Sequence, residues 1–157
     1  PANEEVQDSA CGAIWNLALD DRNRVILCQE LGVGKEIVAA MRAHPANEEV
    51  QYAACSAIMN LAFEDNRNDV ILCQELGVGK DIVAAMKNHL ASEKVQILAY
   101  KVISNLALNN YQNRAILSDE LVVEEIIIIG MRSHSRNASL QYHGSEAIAS
   151  ITLCDNN

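Results

Sequence analysis

Aromatic side chains are scarce: they make up 4% of the 157 residues, with one Trp and one Phe, against a hydrophobic share of 50%. A core must therefore be built from Ala, Leu, Ile and Val, which suits closely packed helices better than a β-sandwich. Only two prolines and seven glycines are present, too little turn chemistry for many short strands. Long apolar runs are missing as well. The longest, Ile126 to Met131, falls far short of the roughly 18 residues needed to span a bilayer, so no membrane partner is expected. No basic-then-apolar leader opens the chain at Pro1, and no secretion signal is visible. The five cysteines, an odd number in that setting, read as reduced thiols, and the expected location is cytoplasmic, with nuclear the alternative. Basic residues are outnumbered, 12 Lys and Arg against 21 Asp and Glu, for a net charge of −9 and a pI of about 4.8. That balance excludes generic nucleic-acid binding, which needs a basic face to displace counterions. Half the chain being apolar excludes wholesale disorder. A mass of 17.2 kDa fits one domain of ordinary size.

What is present is repetition. Pro1 to Gln7 returns unchanged as Pro45 to Gln51, and Val25 to Lys35 returns unchanged as Val70 to Lys80. A more diverged copy carries Val95-Gln96, Asn105-Leu106-Ala107, Asn113-Arg114, Glu120-Leu121 and Met131 to His134, and a further one opens at Leu140-Gln141. The period of about 45 residues falls in the range of two- and three-helix solenoid repeats. Each copy reads as three helices. Glu48 to Phe63 places Val50, Ala54, Ile58 and Leu61 on one stripe, the pattern of a long helix with one buried face. Pro45 and Asn47 stand at its start, and Glu48 and Glu49 occupy the first turn, where the helix dipole favours them. A short helix is predicted over Arg67 to Leu76, ended by Gly77, and a middle one over Lys80 to Asn88. In the third copy Val122-Val123 replace the glycine turn, which predicts a different angle there. One such unit cannot bury its apolar faces alone, whereas stacked neighbours can.

The pattern V-Q-x-x-A-C-x-A-I-x-N-L-A, then N-R-x-x-I, E-L-G and I-V-x-x-M resembles the armadillo repeat, with Val50-Gln51, Ala54, Ile58, Asn60-Leu61-Ala62, Ile71 and Gly77 at the matching positions. The resemblance spans the chain. It implies an all-α fold, a right-handed armadillo-type α-solenoid, with a leading third helix in residues 1–20 and repeats at 21–64, 65–109 and 110–157. It further implies a concave groove, lined by the third helices, that takes extended peptides, as in members of the β-catenin and importin-α type.

Opposite the apolar stripe of each long helix, at about 100° per residue, lies a second stripe. It holds Asp8, Gly12, Trp15 and Asn16 in the first copy, then Tyr52, Ser56, Met59 and Asn60, then Ile97, Lys101, Ser104 and Asn105, and last Tyr142, Glu146, Ala149 and Ser150. In importin-α-like members an Asn here grips the peptide main chain, since a carboxamide offers both acceptor and donors. Asn16, Asn60 and Asn105 match it, and Ser150 departs from it. Those members also carry a Trp four residues earlier, where this chain has Gly12, Ser56, Lys101 and Glu146. Trp15 is out of register with that ladder, which disfavours a nuclear-transport adaptor. The Asn ladder has a structural reading of equal weight, a local bond to the next loop. Tyr52, Tyr142, Trp15 and Met59 have the chemistry enriched in interfaces. Gln7, Gln51, Gln96 and Gln141, on the buried side, read as partners for loop backbone groups.

Catalysis has no support. His44, His89 and His134 form a ladder, but equivalent atoms of stacked helices lie roughly 8–10 Å apart, too far for one zinc. They read as helix C-terminal caps. Cys11 with Cys55 and Cys28 with Cys73 form similar ladders, too widely spaced for disulfides, and read as small core residues. Leu31 to Lys35 lacks the full phosphate-loop spacing and follows no strand. No cofactor or metal is expected. The function expected is a non-catalytic protein-interaction scaffold binding an extended peptide or partner segment, one with basic residues to complement the acidic chain. The alternative is a structural spacer or oligomerisation segment of a larger protein. The leading helix, rich in Val, Ala, Cys, Ile and Leu, also predicts self-association through the N-terminal face.

Overall fold

The computed structural model describes residues 3–63, 66–108 and 110–153, and the predicted thiol Cys154 lies outside them. All elements in these segments are helical. A leading helix, α1 (Glu4–Leu17), is followed by three sets of three. The first is α2 (Asp21–Val25), α3 (Gly34–Ala43) and α4 (Glu48–Leu61). The second is α5 (Asn66–Asp69), α6 (Val78–Asn88) and α7 (Glu93–Ala107), and the third α8 (Tyr111–Ala115), α9 (Val123–Ser133) and α10 (Ala138–Thr152). The long helices α1, α4, α7 and α10 stack each on the next, and α3, α6 and α9 form a second row beside them. This is an α-solenoid. No helix among the described residues is long and apolar enough to cross a membrane.

The predicted inner stripe is the core. Val50, Ala54, Ile58 and Leu61 are fully buried, as are Val95, Ala99 and Leu106 one copy later. Each long helix starts at a side-chain cap. Asn3, Asn47, Ser92 and Asn137 accept from the backbone N–H of Val6, Val50, Val95 and Leu140 at 3.0–3.3 Å, satisfying one of the donors a helix start leaves unpaired. The short helices differ from expectation. Each passes into a π-helical turn, Ile26–Glu30, Val70–Glu75 and Ile116–Glu120, closed by i→i−5 bonds from Leu31 to Ile26, Leu76 to Ile71 and Leu121 to Ile116. No periodicity within so short a run separates π from α. The middle helix of the second set starts two residues before the predicted Lys80, at Val78.

The glutamines hold these rows together. Gln51 Nε2 donates to the Met41 and His44 carbonyls at 2.9 and 3.0 Å. Gln96 does the same to Met86 and His89, and Gln141 to Met131 and His134. The long helices α4, α7 and α10 thus satisfy carbonyls left open at the end of the preceding middle helix, as the sequence predicts for these three glutamines, whereas Gln7 on α1 makes no such bond among the described residues.

The third turn shares the backbone conformation of the other two. Gly32 and Gly77 take left-handed backbone conformations with φ of 64° and 66°, and Val122 takes the same region at φ 49° and ψ 47°. The chain keeps the glycine turn and holds a β-branched residue where such residues are strained. Val122 is exposed, so its side chain contributes little burial in return. Val122→Gly should raise the unfolding free energy measured in urea by about 0.5–1 kcal/mol after the added entropy of the unfolded chain is offset.

Tyr100 is the largest fully buried side chain, its hydroxyl donating to the Ile127 carbonyl at 3.3 Å. Burial pushes its pKa up to about 12. Its room comes from two glycines. A methyl at Gly130 would collide with the Tyr100 hydroxyl and lie 2.9 Å from Gln96 Oε1, and one at Gly144 would meet Met131 Sδ at 2.6 Å. One copy earlier the corresponding residues are Cys55, Ala85 and Ala99, a smaller residue facing larger ones. Gly130→Ala should cost about 2–3 kcal/mol by overpacking, measured by urea denaturation. Tyr100→Cys in the same chain should recover part of that loss, because it removes the clash.

Candidate functional site

The second stripe runs along the row of long helices, and its members fall into distinct environments. Trp15, Tyr52 and Met59 are half-buried against the core. Lys94 Nζ sits 5.3 Å above the Tyr52 ring, in cation–π range, and is held by Glu49 and Glu48 at 2.6 and 3.3 Å. Those carboxylates raise the Lys94 pKa, and the Ser92 hydroxyl followed by Lys94 lowers that of Glu48. Ser56 is 1% exposed and its hydroxyl donates to the Tyr52 carbonyl of its own helix, so this candidate offers no surface to a ligand. Tyr142 is exposed and meets His143 edge-on at 5.0 Å.

The asparagines bond in a way the sequence did not disclose. Asn60 Nδ2 donates to the Trp15 carbonyl at 3.0 Å, and Asn105 Nδ2 to the Met59 carbonyl at 3.1 Å. Each carboxamide therefore reaches back across the helix interface to the residue just before the preceding ladder Asn. No bond from these carboxamides to the following loop is made among the described residues. Asn16 bonds instead to Gly12 of its own helix at 3.0 Å.

The structure brings Met59, Asn60, Lys101, Asn105 and Glu146 together around one cavity of about 260 Å³ between α4, α7 and α10. Phe63 and Ser104 line it as well. Phe63 closes the predicted helix Glu48 to Phe63 and continues the spacing of Met59 and Asn60, so extending the second stripe by one turn would have marked it, although α4 itself ends at Leu61. Trp15, Asn16, Tyr52, Ser56 and Tyr142 are not part of this cavity.

The other ladders serve the scaffold. His44, His89 and His134 are the C-cap residues of α3, α6 and α9. The ring Nε2 of His89 and of His134, however, bonds the preceding copy's loop, at the Pro45 carbonyl (2.9 Å) and the Leu90 carbonyl (2.7 Å). A carbonyl can only accept, which fixes Nε2 as the protonated nitrogen. No group of His, Cys, Asp and Glu among the described residues could hold a metal. Cys11, Cys28, Cys55 and Cys73 are buried. Burial, the largest cause, pushes the Cys11 thiol up to about 11 and those of Cys55 and Cys73 to about 12, which disfavours the thiolate a nucleophile needs. Gly34, in the glycine-rich stretch that faintly resembles a phosphate loop, makes room for Leu76 of the next copy.

All of residues 1–157 match a family model described as the LRRK2 ARM repeat. The chain belongs to this ARM-repeat family. No curated protein and no solved structure gives a significant match. ARM repeats are in general protein-interaction scaffolds without catalytic activity. In this ARM array the Asn ladder carries structural weight whatever else it does. Replacing Asn60 and Asn105 together by Ala should lower stability in urea by about 1–3 kcal/mol, one net hydrogen bond each. Asn16→Ala, which breaks only a bond within α1, should stay within about 0.5 kcal/mol.

Proposed function

We propose that this array binds an extended segment of a partner protein along the face formed by α4, α7 and α10. The observation that supports the reading is the state of the two asparagines. Each commits one N–H to the preceding helix, which leaves its oxygen and a second N–H for a peptide main chain, itself one donor and one acceptor per residue. A carboxamide already held in place loses little freedom on binding, which favours affinity. Met59 and the 46%-exposed Phe63 supply apolar contact area beside it. A net charge of −9 favours partners of net positive charge through long-range steering, and binding should weaken as salt rises. The test is selection of random dodecapeptides displayed on phage against the whole chain. Peptides that bind in extended form should lose tenfold or more in affinity to a Phe63→Ala chain, since a truncated anchoring aromatic costs about 2 kcal/mol or more, while its circular dichroism is unchanged. Failure to retain any peptide, or equal retention by the variant, overturns the groove.

A further inference from the structure

Resting on the groove reading above, we propose that the bound segment is a basic polyproline-II stretch with a large apolar residue at every third position, read by a row of apolar side chains on the array. The row is Leu19, Phe63, Leu108 and Leu153, which hold the same place in the four copies, two residues past Leu17, Leu61, Leu106 and Ile151. They are 65%, 46%, 47% and 53% exposed, so burial in the core does not account for them. Gly12, Ser56, Lys101 and Glu146, also equivalent to one another, change character from copy to copy, whereas this position stays large and apolar. Single exposed apolar residues are ordinary, but a regular row of them marks a contact surface. Three members are also placed alike. The backbone N–H groups of Leu19, Phe63 and Leu108 donate to the Asn16, Asn60 and Asn105 carbonyls at 3.3 Å, which holds each residue one turn beyond its asparagine. Phe63 lines the cavity beside Asn60 and Asn105. The Arg24 guanidinium lies 5.5 Å from its ring centre, in cation–π range, so this ring is oriented before a partner arrives.

Spacing selects the partner's conformation. Stacked helices lie about 8–10 Å apart, and the row repeats at that distance. Three residues of polyproline II advance about 9.3 Å and return to the same side. In a β-strand, residues on one side recur at about 6.7 Å, out of step with the row. Seven residues of α-helix advance about 10.5 Å and match it, but a helix bonds its main chain internally and offers nothing to Asn60 and Asn105. Polyproline II has no internal hydrogen bonds. Its main chain is free to meet the two carboxamides while every third side chain meets the row. Charge fits the positions between. Asp20-Asp21 follow Leu19 and Glu64-Asp65 follow Phe63 in a chain of net charge −9, which favours Lys and Arg there beside the prolines.

The test compares three labelled dodecapeptides by fluorescence anisotropy against the whole chain. The first repeats Leu-Pro-Lys four times. The second has the same composition with Leu at every second position. The third replaces Pro by Ala and sets Leu at helical spacing. The first should bind about tenfold or more tighter than either of the others. Replacing Leu19 and Leu108 together by Ser should remove about tenfold of its affinity with circular dichroism unchanged, since both side chains are exposed; Leu19→Ser alone serves if the pair fails to fold. Equal binding of the first two peptides overturns the threefold period. Tightest binding of the third overturns polyproline II. A preference for the first peptide that survives the Ser variants overturns the row as its reader. If none of the three binds while phage-selected peptides do, this inference falls and the groove stands; if those fail too, the groove reading falls with it.

Discussion

The hydrogen bond from a neutral side-chain amide to a carbonyl at a helix end is the interaction on which this array depends. A solenoid of short helices has many ends, and every helix leaves its last carbonyls without partners inside the helix. Gln51, Gln96 and Gln141 close the ends of the middle helices. Asn23, Asn68 and Asn113, on the short helices, close the ends of the long ones at the Leu17, Leu61 and Leu106 carbonyls. Between copies, Gln29 donates to Asn68 Oδ1 and Gln74 to Asn113 Oδ1, both at 2.9 Å. Asn68, Asn113 and Gln96 are fully buried. An amide can be buried at modest cost once bonded, whereas a charged group would add a large desolvation penalty.

The period, the helical class, the inner stripe and the glutamine ladder were legible in the sequence because each is a local pattern repeated in register. The family resemblance rests on the same positions. The destinations of the asparagines were not legible. Asn60 bonds to a residue 45 positions away, and nothing in its own helix announces that distance. The π-helical turns were hidden for a different reason: they occupy five or six residues, too few for a periodicity to emerge. Phe63 was legible as the next member of the outer stripe, but the helix predicted to reach it ends at Leu61, and its place beside the cavity comes from the turn that follows. Ser104 was visible as a member of the outer stripe, but its missing partner is a property of the packed structure alone.

Divergence in the third copy follows the same physical constraint. Tyr100 is accommodated only because Gly130 and Gly144 stand opposite it, so the group changes together relative to Cys55, Ala85 and Ala99. Close packing makes such positions a set whose total volume is fixed while its partition is free. The Val122 turn is the opposite case. There the backbone conformation is held fixed and the residue has drifted away from the glycine that suits it.

The Asn60 and Asn105 carboxamides also join neighbouring long helices, and this gives the array a mechanical property. Tension along the solenoid would draw α4 away from α1 and α7 away from α4, lengthening the bonds to the Trp15 and Met59 carbonyls that cross those interfaces. The same carboxamides would turn as those bonds yield. Curvature of the array and the geometry of its outer stripe are therefore linked variables, and whatever fixes one biases the other. A pull on the ends of the chain is in this sense felt as a change in the orientation of two amide groups in its middle.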